Sequence, residues 1–347
     1  MIEVRTLTDG GQTADEIANA VASFLGPARE SLDLALYDVR LNGDSAEIVK
    51  RALTDAKARG VAIRLLYNVD HPGPIPVPPP PQTRPELLEE LELELRAIAG
   101  VPDLMHHKYV VRDREAVWTG SLNWTEDAWT RQENVVAVLS STDIAHAYTL
   151  DFEELWKTGV VEGTGDVEPR PVPVDGIEVR PWFCPEYGDA LAHRMAKKIT
   201  RARKRVRIAS PVISSGPVLW ALADVASSKQ VDLTGVVDHT QVEEVLAQWR
   251  SLAATRWKAP VLKLVLSTAN FTGKRSTRWT PGATHDYMHA KVAVIDDVVF
   301  LGSFNLSHSG ELNAENTLEV KDGALADRLA AYIDEVRARY PAVGLTA

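Results

Sequence analysis

The chain has 347 residues, 45% hydrophobic and 25% charged, with a formal net charge of −10: the composition of a folded globular protein, not of a disordered or fibrous one. Its one cysteine, Cys184, excludes an internal disulfide and suits a reducing compartment. No apolar run approaches the roughly eighteen residues of a membrane span, and the start Met1-Ile2-Glu3-Val4-Arg5 lacks a secretory pattern, so a cytoplasmic protein without a transmembrane segment is expected.

Thr13 and Glu16 form a capping-box start for a helix carrying Ile17, Val21, Phe24 and Leu25 on one face. A strand at Leu32–Tyr37, a helix near 45–59 and a strand at Val61–Tyr67 follow. The Pro-rich segment from His71 to Pro85 cannot enter a sheet interior, and reads as a rigid surface loop that either rims a cleft or is a spacer. Next comes His106-His107-Lys108, with Asp113 five residues beyond the lysine, then Gly120-Ser121-Leu122-Asn123 and Glu133. An amphipathic helix with Ile144, Tyr148, Phe152 and Leu155 leads into a Gly/Pro-punctuated stretch, Glu162 to Pro173, which divides the chain into 1–168 and 169–347.

The second half repeats the plan, with a helix through Leu191, Met195 and Ile199, a strand at Val206–Ala209, a helix at 217–228 and a strand at Leu233–Val237. Strands alternating with helices in both halves predict an α/β fold of two pseudo-symmetric lobes, each a mixed sheet flanked by helices. Acidic residues dominate the first half and basic ones the second. Val245–His285 has no acid at all, and mixes Arg250, Arg256, Lys258 and Lys263 with Trp249, Trp257 and Phe271. Its end, Lys274, Arg275, Arg278 and Trp279, reads as a lid that touches a polyanionic substrate, while Lys197, Lys198, Arg201, Arg203, Lys204, Arg205 and Arg207 form a second basic cluster. Then the earlier signature returns: His289-Ala290-Lys291 with Asp296, Gly302-Ser303-Phe304-Asn305, and Glu315.

Both copies read H-x-K-x4-D, then G-S-x-N, then Glu ten residues past the Asn. Seven typed positions repeated at near-equal spacing do not recur by chance. Side chains alternate along a strand, so His106 and Lys108 share a face, as do His289 and Lys291, while His107 points away as a neighbouring polar residue. Lysine charge with Ser121, Asn123, Ser303 and Asn305 as donors makes an oxyanion-binding set. Glu133 and Glu315 suit an imidazole ring nitrogen, fixing its tautomer. Asp113 and Asp296 fall at hairpin turns and read as structural; the first hairpin, with one more residue before Gly120, has the longer loop. No metal-ligand spacing is present and no cofactor is expected. Two such sets imply one composite site between the lobes, where one histidine attacks phosphorus and the other protonates the leaving oxygen.

These residues resemble the phospholipase D superfamily, whose hallmark is the paired H-x-K-x4-D element with G-S-x-N downstream, and the resemblance spans both halves. It implies a metal-independent phosphodiesterase working through a covalent phosphohistidine, with His106 as nucleophile and His289 as acid by analogy. The compact chain and the passages around Ser121 and Ser303 look nuclease-like, so nucleic-acid hydrolysis is the favoured expectation. A phospholipase D or phosphatidyltransferase acting on phospholipids is the alternative, and a non-catalytic binding module is the least favoured. With both motifs in one chain, a monomer is expected.

Overall fold

The two signatures lie in two sheets with one strand order. The structure, a computed structural model, describes residues 1–69, 89–100, 102–278, 280 and 282–344. The Pro-rich segment from His71 to Pro85 and the side chain of Trp279 lie outside the described residues.

The first sheet contains β1 (Ile2–Leu7), β2 (Ser31–Leu36), β4 (Ala62–Val69), β5 (Glu94–Ala99), β6 (Lys108–Arg112), β7 (Ala116–Gly120) and β9 (Asn134–Ser140), in the order β1-β9-β7-β6-β2-β4-β5. Two short strands, β3 (Val39–Arg40) and β8 (Trp124–Thr125), pair with each other beside it. The second sheet contains β10 (Val172–Val174), β11 (Ile177–Cys184), β12 (Arg205–Ala209), β13 (Asp232–Asp238), β14 (Thr272–Lys274), β15 (Val292–Ile295), β16 (Val298–Gly302) and β17 (Glu315–Lys321), in the order β10-β11-β17-β16-β15-β12-β13-β14. Apart from β10, every strand of these two large sheets has a counterpart at the same place in the other. β2–β4 and β12–β13 are parallel pairs, joined by the helices Gly43–Ala58 and Gly216–Ser228, and the hairpins β6–β7 and β15–β16 are antiparallel. The expected two-lobed α/β architecture is therefore the observed one.

Local chemistry explains the elements. At the first helix, Ala14–Leu25, the Thr13 amide donates to the Glu16 carboxylate at 2.7 Å and the Glu16 amide to Thr13 Oγ1 at 3.2 Å, a reciprocal cap that satisfies two orphan donors. Its Ile17, Val21, Phe24 and Leu25 are buried. The central strands β7 and β16 are buried along their whole length, hence their continuous apolar runs. One apolar cluster spans both lobes, joining Tyr109, Val111, Val292 and Leu318 to Tyr148, Phe152 and Ile333 from the helices Thr142–Thr158 and Gly323–Ala338. Each lobe has a second cluster on its outer side. Between Thr158 and β10 the chain has no helix or strand, yet Glu154 pins it by accepting from the Gly165 and Asp166 amides. Val172 and Pro173, expected in the linker, belong to β10. Among the described residues no helix is long and apolar enough to cross a membrane.

The hairpin loops differ by one residue, as the sequence implies: 113–115 between β6 and β7, 296–297 between β15 and β16. Asp113 and Asp296 both adopt positive φ, at 54° and 52°. Asp113 accepts from the amides of Arg29, Glu30 and Ser31, and Asp296 from those of Arg203, Lys204 and Arg205, so each motif aspartate ties its hairpin to the start of β2 or β12. Partial burial raises each carboxyl's pKa, but the three amides outweigh it and hold both below the usual value. A depressed pKa means that stabilisation is present above the ordinary carboxyl range and lost as pH falls through the folded value. Asp113→Asn and Asp296→Asn should each lower stability at pH 7 by about 1–2 kcal/mol, tempered by solvent screening. Urea unfolding should show the deficit at pH 7 and its shrinkage as pH falls below the ordinary carboxyl range.

Candidate active site

Each motif histidine is completed by the opposite lobe. The His106 amide donates to the Ala314 carbonyl at 2.9 Å, just before β17, and the His289 amide to the Glu133 carbonyl at 3.2 Å, just before β9. The backbones are thereby locked crosswise, and the rings follow. His106 Nδ1 lies 2.8 Å from Glu315 Oε1, and His289 Nδ1 lies 3.1 Å from Asn134 Oδ1. With Nδ1 occupied, Nε2 is the nitrogen left for chemistry. Each lysine is bent back onto its own motif: Lys108 Nζ donates to the His106 carbonyl at 2.6 Å and Lys291 Nζ to the His289 carbonyl at 2.8 Å. Tyr37 packs edge-on against His106 and lies under the Lys108 ammonium. Asn123 and Asn305 hold side-chain oxygens that are buried without a hydrogen-bond partner, so both amides have unspent capacity in the site.

Burial dominates the electrostatics. It brings Lys108 down to about 7 and holds Lys291 well below its ordinary range, with the charge of Lys108 adding to the effect on Lys291. Burial, then the neighbouring lysines, keep His106 and His289 well below the ordinary imidazole value. Burial likewise raises Glu315 to about 8 against the pull of Lys108 and Lys291. Four cation-forming groups, Lys108, Lys291, His106 and His289, thus share a desolvated space and repel one another's charge. An anion placed among them removes that penalty, and a phosphoryl group has the charge and oxygens to do so.

The structure corrects several expectations. Glu133 and Glu315 stand ten residues past their Asn, yet they are not counterparts. Gly120 pairs with Val136, but Gly302 pairs with Thr317, so the first copy has one extra residue before its last strand. The serines agree: the Ser121 amide donates to the Val135 carbonyl, the Ser303 amide to that of Asn316. Asn134, not Glu133, therefore occupies the place of Glu315. Glu133 faces away from His289 and binds Lys274 at 3.1 Å, with Tyr340 donating to its other oxygen. Nor do the serine hydroxyls point to a substrate. Ser121 Oγ donates to Asn134 Oδ1 at 2.8 Å and Ser303 Oγ accepts from the Asn316 amide at 2.9 Å, so they brace the strand starts that carry the partners of the histidines. Gly120 and Gly302 are required because a Cβ would lie 2.2 and 2.1 Å from the Val135 and Asn316 carbonyl oxygens. His107 is more than a neighbour: it is fully buried, 3.1 Å from Asp151 Oδ2, with its Nδ1 3.1 Å from Asn316 Nδ2 of the other lobe.

Lys274, expected on a substrate lid, is buried in β14, and its ammonium bonds Asp9 and Glu133 of the first lobe at 3.0 and 3.1 Å. Arg275 and Arg278 are exposed, and lie 3.8 and 3.7 Å from Glu243. Trp249 and Phe271 are core residues, and Lys258 is buried against the Ser214 carbonyl. In the second basic cluster Arg205 pairs with Asp327, and Arg207 with Asp232 and Asp334. Lys274 thus ties the second lobe to the first, while Lys258, Arg275, Arg278, Arg205 and Arg207 find their partners within the second lobe. Sequence reasoning also missed Asn134, whose role depends on strand register, and a cross-lobe rim in which Arg40 grips Asp38 and lies 3.3 Å from His285 Nδ1. Among the described residues no group of three or more His, Cys, Asp or Glu side chains could hold a metal ion.

The family model described as "Cardiolipin synthase, PLD-like domain" matches residues 21–156 and 195–337, which include both motifs. The chain is 27% identical to mitochondrial cardiolipin hydrolase of Mus musculus over 130 residues, 38% of this chain and 53% of that protein. It is 29% identical to phospholipase D of Rickettsia bellii over 128 residues, 37% of this chain and 58% of that one, and so spans little more than half the length of these relatives. Cardiolipin synthase A of Pectobacterium carotovorum aligns at 24% identity over 94% of this chain and 68% of its own. The crystal structure of phosphatidylserine synthase from Haemophilus influenzae superposes with a TM-score of 0.65 at 14% identity, covering 97% of this chain and 86% of that one, which shows a common fold.

Because Glu133 and Lys274 are buried together, Lys274→Ala should destabilise the protein by about 3–5 kcal/mol. The exposed pair Arg275→Ser/Arg278→Ser should stay within about 0.5 kcal/mol of the wild type. Chemical denaturation of the two variants checks the contrast.

Proposed function

Because this chain belongs to the phospholipase D superfamily, we propose that it is a phosphodiesterase that cleaves phospholipids through a phosphohistidine on His106, with His289 as the proton carrier. The observation that carries the chemistry is the crosswise pairing of the two rings, His106 with Glu315 and His289 with Asn134. Nε2 of His106 attacks phosphorus as the bond to the leaving oxygen breaks, and protonated His289 gives that oxygen its proton. Neutral His289 then takes a proton from water or an alcohol, which attacks phosphorus and displaces His106. Lys108, Lys291, Asn123 and Asn305 bind the non-bridging oxygens. No step calls on a metal. One chain supplies both halves, so a monomer suffices.

The choice of lipid over nucleic acid has three supports. Similar proteins are named for cardiolipin or phospholipase D activity. The nucleic-acid reading leaned on cations and aromatics of residues 245–285, and the burial of Lys258, Lys274, Trp249 and Phe271 removes much of that footing. What stays exposed suits a bilayer. Trp220 and Trp257 are 57% and 39% exposed and stacked at 5.5 Å, in a hollow also lined by His193, Lys197 and Arg201. Indole rings beside cations favour the boundary of an anionic membrane. Trp257 packs by Gly216, which follows Ser214 and Ser215, whose amides bind the carbonyl of Leu306, the residue after Asn305.

Vesicles of cardiolipin and phosphatidylglycerol and, separately, single-stranded DNA should be incubated with the protein in excess EDTA. Phosphatidic acid or a transferred phosphatidyl product should appear, and the DNA should stay intact. Cleaved DNA with untouched vesicles would overturn the lipid reading. His289→Ala should lower kcat about 10²–10⁴-fold. With an activated diester it should accumulate an adduct on His106, read by mass spectrometry, that His106→Ala does not form.

A further inference from the structure

We propose that Asn134 is a positioning residue that makes the two histidines chemically unequal, backing His289 with an amide that cannot ionise where His106 has a carboxyl group that can. This rests on the phosphoryl-transfer reading above, for which it supplies a division of labour that the symmetric motifs do not contain. It concerns a residue outside both motifs, found only through the one-residue difference in register.

The orientation of the Asn134 amide follows from its partners. The Val135 amide donates to Ser121 Oγ at 3.0 Å, which leaves the serine proton to be given to Asn134 Oδ1 at 2.8 Å. On the other side, Asn134 Nδ2 donates to the Ala128 carbonyl at 3.1 Å and lies 3.4 Å from Gln132 Oε1. The atom facing His289 is therefore an acceptor, and His289 Nδ1, at 3.1 Å, must carry the hydrogen. The lone pair is thereby set on Nε2, and His289 becomes an acid only by taking a second proton there.

What stabilises that second proton differs between the lobes. Lys291, Lys108 and His285 bear on His289, all cationic or neutral, with the Ser121 carbonyl favouring its charged form. Glu133, the nearest acid in sequence, spends its carboxylate on Lys274, Tyr340 and the Asp9 amide. His106 instead has Glu315 at 2.8 Å. An amide dipole offsets an imidazolium less than a carboxylate does. Protonated His289 is thus the stronger acid, suited to giving its proton to the leaving oxygen as the P–O bond breaks. His106, whose ring gains positive charge when Nε2 bonds phosphorus, has beside it a carboxyl that burial holds protonated up to about 8 and that can ionise in answer to that charge.

The test is an NMR titration of the imidazoles in the intact protein without substrate, for wild type and Asn134→Asp, beside the pH profile of kcat/KM. In wild type, 15N shifts should show His289 as the Nδ1–H tautomer and titrating below His106. In Asn134→Asp the His289 midpoint should rise by about 1–3 pH units, and the alkaline limb of kcat/KM should rise with it. Asn134→Ala, which removes the acceptor without adding charge, should lower kcat and leave the midpoint from rising. A wild-type His289 that titrates above His106, or is protonated on Nε2 when neutral, overturns the inference even if no variant folds. So does a folded Asn134→Asp protein with an unmoved midpoint. An absence of phosphodiester cleavage with these titrations as expected would count against the proposed function and not against the role of Asn134.

Discussion

The crosswise hydrogen bonding at the boundary between the lobes is the constraint on which the site depends. Neither lobe contains a complete histidine. The His106 amide and ring are both satisfied by residues opening β17, and those of His289 by residues opening β9. A lobe shifted by an ångström would break four hydrogen bonds, so the positions of the two rings are fixed by the packing of the whole molecule. The shared apolar cluster and the buried tie from Asn316 to His107, Thr119 and Tyr148 serve the same geometry.

Electrostatics gives that rigidity its use. Lys108 and Lys291 are held where water cannot stabilise their charge, and each donates to the carbonyl of its own histidine residue. The free energy stored in that arrangement is released only to an anion that fits between them. Preorganised, desolvated donors of this kind act more strongly on a phosphoryl group than the same groups would in water. The salt links outside the site, such as Lys274 to Glu133 and Asp9, consume cations that could otherwise compete for the substrate.

Much of this was legible in the sequence. The repeated H-x-K and G-S-x-N runs marked the segments that meet at the candidate site, and the apolar periodicities of Ile17 to Leu25 and Ile144 to Leu155 gave helices on the correct faces. Asp113 and Asp296 were readable as structural because turn position limits what a carboxylate can reach. Residue spacing misled where it was applied across a loop, because equal counts from Asn to Glu hide unequal paths through the helices Glu126–Thr130 and His308–Leu312. Composition misled at Lys274 and Lys258, since an acid-free stretch of sequence can meet its acids in space: Asp9 and Glu133 come from the far lobe. Register and long-range pairing are properties of the folded chain, and local patterns carry neither.

The extra residue before β9 has a wider meaning. In a duplicated fold, a length change in a connecting loop can act as an active-site substitution. It alters no motif residue and moves no strand, yet it decides whether an acid or an amide stands behind a motif histidine. The two halves of this molecule could therefore diverge in chemistry through a single insertion while their signatures stayed alike, and a comparison that aligns only the signatures would count them as equal.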